Sequence, residues 1–453
     1  MSALDTIVAL SSPVGESALA IIRLSGPLCS SLKLETTKRK SGLSDRHATL
    51  CKYHDISGLV VDEAVFLSFE NGASFTGEAV LEIMPHGNPL IIQKILKDLL
   101  ARGCRAAEPG EFTRRAFLNG KMDLSQAEAV ADLIHARSNY SLEVARKQLN
   151  GSIGQRMSEL TDRLLEILSE IEAYIDFPEE DLPLPSSMGP VADLKALIKE
   201  VASLIETNQY ASILHDGIKT LIIGAPNAGK SSLINALVGA ERAIVSDIPG
   251  TTRDFIGSYI MLEAHRVEII DTAGLHLTKD SIEQQGIDKT LEQAQSADFF
   301  LLIMDSSQPP PVLPAAINSI LKPNNTIVIE NKIDLAGSKT CPDYLKDCLH
   351  CPTSITEARG IEEFKNAWSE FLDKNLGLPK SKDAIVLNAR HTHALKDALS
   401  ALVDGLQKLD NHEFSELVAA DLRSAIEGFS QVVGKIDNEA MLDKLFQKFC
   451  IGK

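Results

Sequence analysis

Apolar positions fall into two rhythms along this chain. Leu160, Leu164, Ile167, Leu168, Ile171 and Ile175 recur at the 3.6-residue spacing of an amphipathic helix. HALKDALSALVDGLQKL, after residue 380, and the segments around 414–449 repeat that rhythm and predict further helices. Asp123-x-x-Gln126 reads as a capping box that opens a long helix. The proline-rich PEEDLPLPSSMGP (178–190) breaks the helical run. Most residues of these stripes are core positions and not site residues.

The central region changes rhythm. Thr220–Ile223, then VEIID, FFLLIMD and TIVIE, are short apolar runs rich in β-branched residues. Thr220–Ile223 reads as a buried strand, and the others read as strands that follow it. Helical segments between them predict a parallel α/β domain over 216–376.

The first strand runs into GAPNAGKSSL, with Gly224, Gly229, Lys230 and Ser231 in the pattern G-x-x-x-x-G-K-[ST]. SSLINALVG then reads as a helix ending near Gly239. Strand, glycine loop and helix form the setting in which this pattern cradles phosphate on backbone N–H groups. Asn227, Ala228, Gly229, Lys230, Ser231 and Ser232 are the candidate phosphate-loop residues. Lys230 would reach the β/γ oxygens, and the Ser231 hydroxyl would ligate Mg²⁺.

Three further elements follow in order. VEIID leads to Asp271-Thr272-Ala273-Gly274, where Asp271 can hold Mg²⁺ through water and the Gly274 N–H can read a γ-phosphate. TIVIE leads to Asn331-Lys332-Ile333-Asp334. The Asp334 carboxylate can accept from both guanine N1–H and N2–H₂. Adenine offers no such donor pair, so this element selects GTP. Ser354-Ile355-Thr356 stands where related GTPases carry Ser-Ala-Lys, with Ile355 as a departure.

Hydrolysis needs a group to orient water, and Leu275, directly after Gly274, cannot do so. No arginine finger is evident. The side-chain oxygen of Asn227 can ligate a K⁺ ion, with carbonyls from Ser246, Asp247, Ile248, Pro249, Gly250, Thr251 and Thr252 folded over it. Ser246, Ile248 and Thr251 are the other candidate K⁺ ligands, and Thr252 or Thr251 would complete the Mg²⁺ shell. A cation there would neutralise charge between the β- and γ-phosphates. The alternative for Asn227 is an Asx turn that stabilises the loop.

Bulk numbers bound the setting. The chain has 453 residues, 44% hydrophobic and 24% charged, which fits a soluble globular protein of several domains. No run of about 18 apolar residues marks a membrane span. MSALDTIVAL lacks a basic leader region, so the expected location is cytoplasmic. Seven scattered cysteines fit a reducing compartment. Cys341, Cys348, His350 and Cys351 cluster, but their spacing matches no common zinc site. The net charge of −17 argues against nucleic-acid binding by global charge, so an RNA substrate would need a local basic patch or a basic partner.

The flanks supply what a generic GTPase domain lacks. IIRLSGP (21–27), FTGEAVLEIMPHG from Phe75, EPGEFTRRAFLNGKMDLSQAEAVADLI (108–134) and the terminal FCIGK (449–453) are the informative stretches. With TTRD and DTAGL they resemble the MnmE (TrmE) family of tRNA modification GTPases over essentially the whole chain.

That resemblance implies three parts. An α+β domain similar to folate-binding domains, which also forms the homodimer platform, would cover 1–119. A discontinuous helical domain would take 120–215 and 377–453. A Ras-like GTPase domain would be inserted at 216–376. It further implies a one-carbon tetrahydrofolate, in its 5-formyl or 5,10-methylene form, at Arg23, Glu82, Lys121 and Lys453. Glu283 resembles the residue that orients the attacking water, and His276 stands where relatives carry Arg. Pro85 and Asn88 depart from the family's glycines around His86-Gly87. Cys450 looks like a catalytic thiol; packing or lining the folate pocket are its alternatives.

The implied function is modification at C5 of the wobble uridine of certain tRNAs, by a carboxymethylaminomethyl or aminomethyl group. The implied partner is the FAD-dependent MnmG (GidA), which would carry the flavin and supply a tRNA-binding surface. The competing class is a regulatory switch in ribosome assembly with no modification chemistry. A folate-like N-terminal region and a terminal Cys-x-Gly-Lys, for which such a switch has no evident need, separate the two.

Overall fold

The computed structural model describes residues 5–39, 43–176, 190–239, 258–263, 265–271, 294–311, 313, 315–335, 342–377, 385–411, 415–434, 439–447, 449 and 451–452. The chain forms two compact units. One comprises 1–134, 147–202 and 390–453; the other comprises 135–146 and 203–389.

The first unit opens with strands β1 (Ile7–Leu10), β2 (Ser17–Leu19), β3 (Ile22–Ser25), β4 (Thr49–His54), β5 (Val60–Phe69), β6 (Val80–Met84), β7 (His86–Gly87) and β8 (Arg105–Ala106). Six of them form one sheet in the order β4-β5-β6-β3-β1-β8, antiparallel except for β1 beside β8. Val8, Ile22, Leu24, Phe66, Leu81 and Ile83 alternate onto one face and are buried with Ile92, Ile95 and Leu99 of the helix Pro89–Ala101. Asn88, expected to stiffen its loop, has a second role as the N-cap of that helix: its Oδ1 accepts from the Leu90 N–H at 2.9 Å, with Pro89 in the first turn.

The helices of this unit follow the 3.6-residue pattern. The capping box is present as read: the Gln126 N–H donates to Asp123 Oδ1 at 2.8 Å, and the Asp123 N–H to Gln126 Oε1 at 2.9 Å. It opens the helix Leu124–His135. In the helix Ser152–Asp176, Leu160, Leu164, Ile167, Leu168 and Ile171 are buried, while Ile175 is only partly so. This helix packs against Ser415–Val433, whose Val418, Leu422, Ala425 and Phe429 are buried.

A charge cluster ties the start of the helix Ala389–Asp410 to this assembly. Arg390 donates through Nε and Nη2 to the two Glu128 oxygens at 2.8 and 2.9 Å, and to the carbonyls of Gln431 and Val432. His391 Nε2 lies 2.9 Å from Glu128. Burial alone would raise the Glu128 carboxyl, but Arg390 and His391 outweigh it and hold it down to about 2.

The second unit is built on β9 (Ile218–Gly224), β10 (Ser258–Leu262), β11 (His265–Asp271), β12 (Phe299–Asp305), β13 (Thr326–Asn331) and β14 (Leu349–Pro352). Their order is β10-β11-β9-β12-β13-β14. Every pairing is parallel except that of β10, an antiparallel edge hairpin with β11. In β12, Phe299, Leu301 and Ile303 face one core with Leu233, Phe364 and Trp368, while Phe300, Leu302 and Met304 face another with Leu345. Burial on both faces explains why β12 is an unbroken apolar run, whereas in β11 buried Val267 and Ile269 alternate with half-buried Arg266 and Glu268.

Candidate functional site

The nucleotide elements meet at the C-terminal ends of β9, β12 and β13, where open parallel sheets bind ligands. β9 ends at Gly224, where glycine is required because a Cβ would lie 2.5 Å from the Ile303 carbonyl oxygen of the neighbouring strand. The chain turns through Asn227, at φ +63°, and Gly229, at φ +107°, before the helix Lys230–Gly239 begins. Asparagine and glycine are the residues that adopt this left-handed backbone with least strain. Ala228 is buried, while Asn227, Ser231 and Ser232 are exposed on the loop and first helical turn. The Lys230 ammonium folds back onto the loop, donating to the Gly224 and Ala225 carbonyls at 2.7 and 3.0 Å.

β11 runs parallel to β9 and brings the backbone of Asp271 opposite Ile222, two residues short of the phosphate loop. The other candidate residues of this region, Ser246 to Thr252, Thr272 to Gly274, His276 and Glu283, lie outside the described residues.

The loop that starts at Asn331 is tied to the loop that follows β9 by the Asn331 side chain. Its Nδ2 donates to the Ala228 carbonyl at 2.8 Å, and its Oδ1 accepts from the Ile355 N–H at 3.3 Å. One buried amide therefore joins three elements far apart in sequence. Gly229 is needed here for a second reason: a Cβ would lie 2.3 Å from Asn331 Nδ2. Ser354 is buried and exchanges backbone hydrogen bonds with Arg359, both at 2.9 Å, which closes the loop that presents Ile355. Asp334 is exposed beyond Lys332, where a base edge can reach it.

One residue was missed from sequence. Asp305, the last residue of β12, accepts from Lys332 Nζ at 2.7 Å through Oδ2, while Oδ1 accepts from the Ser307 N–H and hydroxyl. The ammonium and these donors outweigh burial and hold its carboxyl below the usual range. It fixes the Lys332 side chain, whose backbone is left-handed at φ +64°. A carboxylate ending a buried strand beside the base loop was a readable signal.

The cysteine-histidine cluster resolves into other contacts. Cys348 and Cys351 are buried, and burial pushes the Cys351 thiol up to about 11. His350 engages the Glu330 carboxylate through Nδ1 and the Leu345 carbonyl through Nε2. Cys341 lies outside the described residues.

In the first unit, Arg23 and Glu82 face each other across β3 and β6. Arg23 Nε donates to Glu82 Oε1 at 2.8 Å, in a pair largely shielded from solvent. The guanidinium also lies 5.9 Å from the Phe112 ring centroid and 3.5 Å from the Gly452 carbonyl oxygen. Lys121 is engaged elsewhere, donating to the Gly72 carbonyl at 2.6 Å. Cys450 and Lys453 lie outside the described residues, though Phe449 and Gly452, beside them in sequence, are buried.

Two family models match this chain. One described as the N-terminus of the GTP-binding protein TrmE covers residues 6–121, and one described as the MnmE helical domain covers 124–450. The chain belongs to the MnmE (TrmE) family. A curated MnmE protein of Opitutus terrae, called a tRNA modification GTPase, is 46% identical over 452 residues, 99% of each chain. That of Aquifex aeolicus, with the same name, is 38% identical over 451 residues, 99% of this chain and all of its own. MnmE membership thus extends across the N-terminal sheet, the helices and the inserted nucleotide unit.

Proposed function

We propose that this chain is a GTP hydrolase acting in the modification of the wobble uridine of tRNA. The observation that carries this reading is one chain, similar along its whole length to tRNA modification GTPases, in which Asn331 links a phosphate loop to a base-reading loop. Asp334 would select guanine, and Lys230 would leave the Gly224 and Ala225 carbonyls for the β/γ oxygens of GTP.

The donor sets fit the implied ions. Ser231, exposed on the first helical turn, and Thr252 would hold Mg²⁺, which supplies charge neutralisation at the phosphates when bound. Asn227 holds an exposed, left-handed position at the loop tip, where its amide oxygen can meet K⁺ with Ser246, Ile248 and Thr251. Glu283 would orient the attacking water.

The Arg23–Glu82 pair suits a one-carbon tetrahydrofolate. A carboxylate matches the N–H edge of a pterin, and a guanidinium matches a folate carboxylate or carbonyl. When bound, the folate supplies the one-carbon unit. Lys121 and Lys453 complete the proposed set, and Cys450 is the candidate thiol. The proposed partners are a second copy of this chain and an FAD-dependent protein of the MnmG (GidA) kind. The partner's surface would carry the tRNA that a net charge of −17 does not favour. The proposed domains are 1–119, 120–215 with 377–453, and 216–376, in the cytoplasm.

The test combines purified chain, FAD-loaded flavoprotein partner, tRNA, GTP, Mg²⁺, K⁺, glycine or ammonium as the nitrogen source, and tetrahydrofolate labelled in its one-carbon unit. Label is expected in the wobble nucleoside only when GTP is present. GTP hydrolysis without label in tRNA contradicts the reading.

A further inference from the structure

The C-terminal segment is seated on the N-terminal sheet by contacts that leave no room for extra atoms. Gly110, at φ +67°, precedes the helix Glu111–Leu118; a Cβ there would lie 2.7 Å from the Phe446 carbonyl oxygen and 2.9 Å from Phe449 Cβ. Arg114, in that helix, pairs with Asp443 at 2.9 Å. The Phe446 and Phe449 rings stand 5.2 Å apart and are buried with Leu124 and Leu442.

Three residues on, Gly452 adopts φ +93° and lies so close to the end of β1 that a Cβ would meet the Leu10 carbonyl oxygen at 2.5 Å and Ser11 Cα at 2.9 Å. Its carbonyl accepts from the Ser11 hydroxyl at 2.9 Å and from Arg23 Nη1 at 3.5 Å. Ser11 is itself held, its N–H donating to the Ile21 carbonyl at 2.7 Å. The shorter of the two tail bonds thus comes from a residue that no motif marks.

We propose that Ser11 is a positioning residue: its hydroxyl latches the Gly452 carbonyl and so fixes the chain end that carries Cys450 and Lys453. The Arg23 guanidinium that pairs with Glu82 shares the same carbonyl, so docking of the tail and the set of the Arg23–Glu82 pair are one arrangement. Releasing the latch frees the last residues and removes one of the acceptors that orient Arg23. The use of this latch in catalysis rests on the folate reading above; the latch itself does not.

The test uses the full-length protein and two readouts. The first is the rate at which iodoacetamide alkylates Cys450, read by mass spectrometry on the tryptic peptide Phe449–Lys453. Loss of one hydrogen bond shifts tail opening by about five-fold. Ser11→Ala is therefore expected to alkylate about five times faster than wild type, and Ser11→Thr, which keeps the hydroxyl, at close to the wild-type rate. Gly452→Ala, which forces a Cβ against Leu10, is expected to open the tail at least as far. Ser11→Ala alkylating at the wild-type rate overturns the latch. The second readout is tRNA modification with the flavoprotein partner: Ser11→Ala is expected to lower kcat while leaving KM for tRNA unchanged, and Ser11→Thr to restore it. Faster alkylation with undiminished kcat overturns the positioning role. A wild-type chain that modifies no tRNA counts against the proposed function, and the alkylation comparison still judges the latch.

Discussion

Asn331 donates its side-chain amide to the Ala228 carbonyl at 2.8 Å, and this bond joins the loop proposed to read the base to the loop proposed to hold the phosphates. The same side chain accepts from the Ile355 N–H. Asn331→Ala removes both bonds and leaves the buried Ala228 carbonyl without this donor. At about 1 kcal/mol for each bond, GTP affinity is expected to fall about 30-fold, read by titration with a fluorescent GTP analogue. An unchanged affinity would mean that the two loops hold their geometry independently.

The proposed base choice rests on Asp334. In Asp334→Asn the side chain gains a donor and loses an acceptor, so it matches xanthine's C2 carbonyl better than guanine's amino group. Competition binding is expected to show GTP weakened by about 100-fold and xanthosine triphosphate gained. Equal losses for both nucleotides would remove Asp334 from the base site.

The proposed potassium site has its own variant. Asn227→Gly keeps the left-handed backbone at low cost and deletes the amide oxygen. Wild-type hydrolysis is expected to run at least about 10-fold faster in K⁺ than in Na⁺, a difference of about 1.4 kcal/mol in the barrier. The variant is expected to run equally slowly in both. A variant that keeps the K⁺ preference would leave Asn227 as a turn residue.

Glu128 gives the helices a pH signature. Its carboxyl sits at about 2 in the folded protein, against an ordinary value of 4.5, so its ion pairs stabilise the fold fully above the unfolded value. That contribution is lost as pH falls through the folded one. The linkage is worth up to about 3 kcal/mol, and the melting temperature should drop between about pH 4.5 and 2. Glu128→Gln should melt lower at neutral pH and lose this part of the acid dependence. It leaves the half-buried Arg390 with only the Gln431 and Val432 carbonyls, a cost of about 2 kcal/mol.

How much of this was legible follows from the type of interaction. Apolar runs announced β9, β12 and β13 because both faces of a central parallel strand are buried, the shorter VEIID announced β11, and Asp123 with Gln126 announced a helix start because capping is local. The antiparallel β10 was not announced, since SYIML is short and, among the described strands, pairs on one side only. Asn331 was readable as part of the base-reading motif, yet its bond to Ala228 joins residues 103 positions apart. Ser11 and Gly452 lie 441 positions apart, and a serine hydroxyl meeting a main-chain carbonyl leaves no side-chain pattern to find. Asp305 was the intermediate case: its place at a strand end was visible, its lysine partner was not.

The most direct test of the central claim is made in a bacterium whose own modification GTPase gene is deleted. Wild type and Lys230→Ala are expressed there, and the wobble-uridine nucleosides are measured by mass spectrometry with the host's flavoprotein present. The account predicts that C5-aminomethyl nucleosides return with wild type and not with Lys230→Ala, since the variant lacks the ammonium proposed to reach the β/γ oxygens. Modified nucleosides returning equally with both would contradict the coupling to GTP. None returning with a soluble, GTP-hydrolysing wild type, even when its native flavoprotein is supplied, would contradict the function.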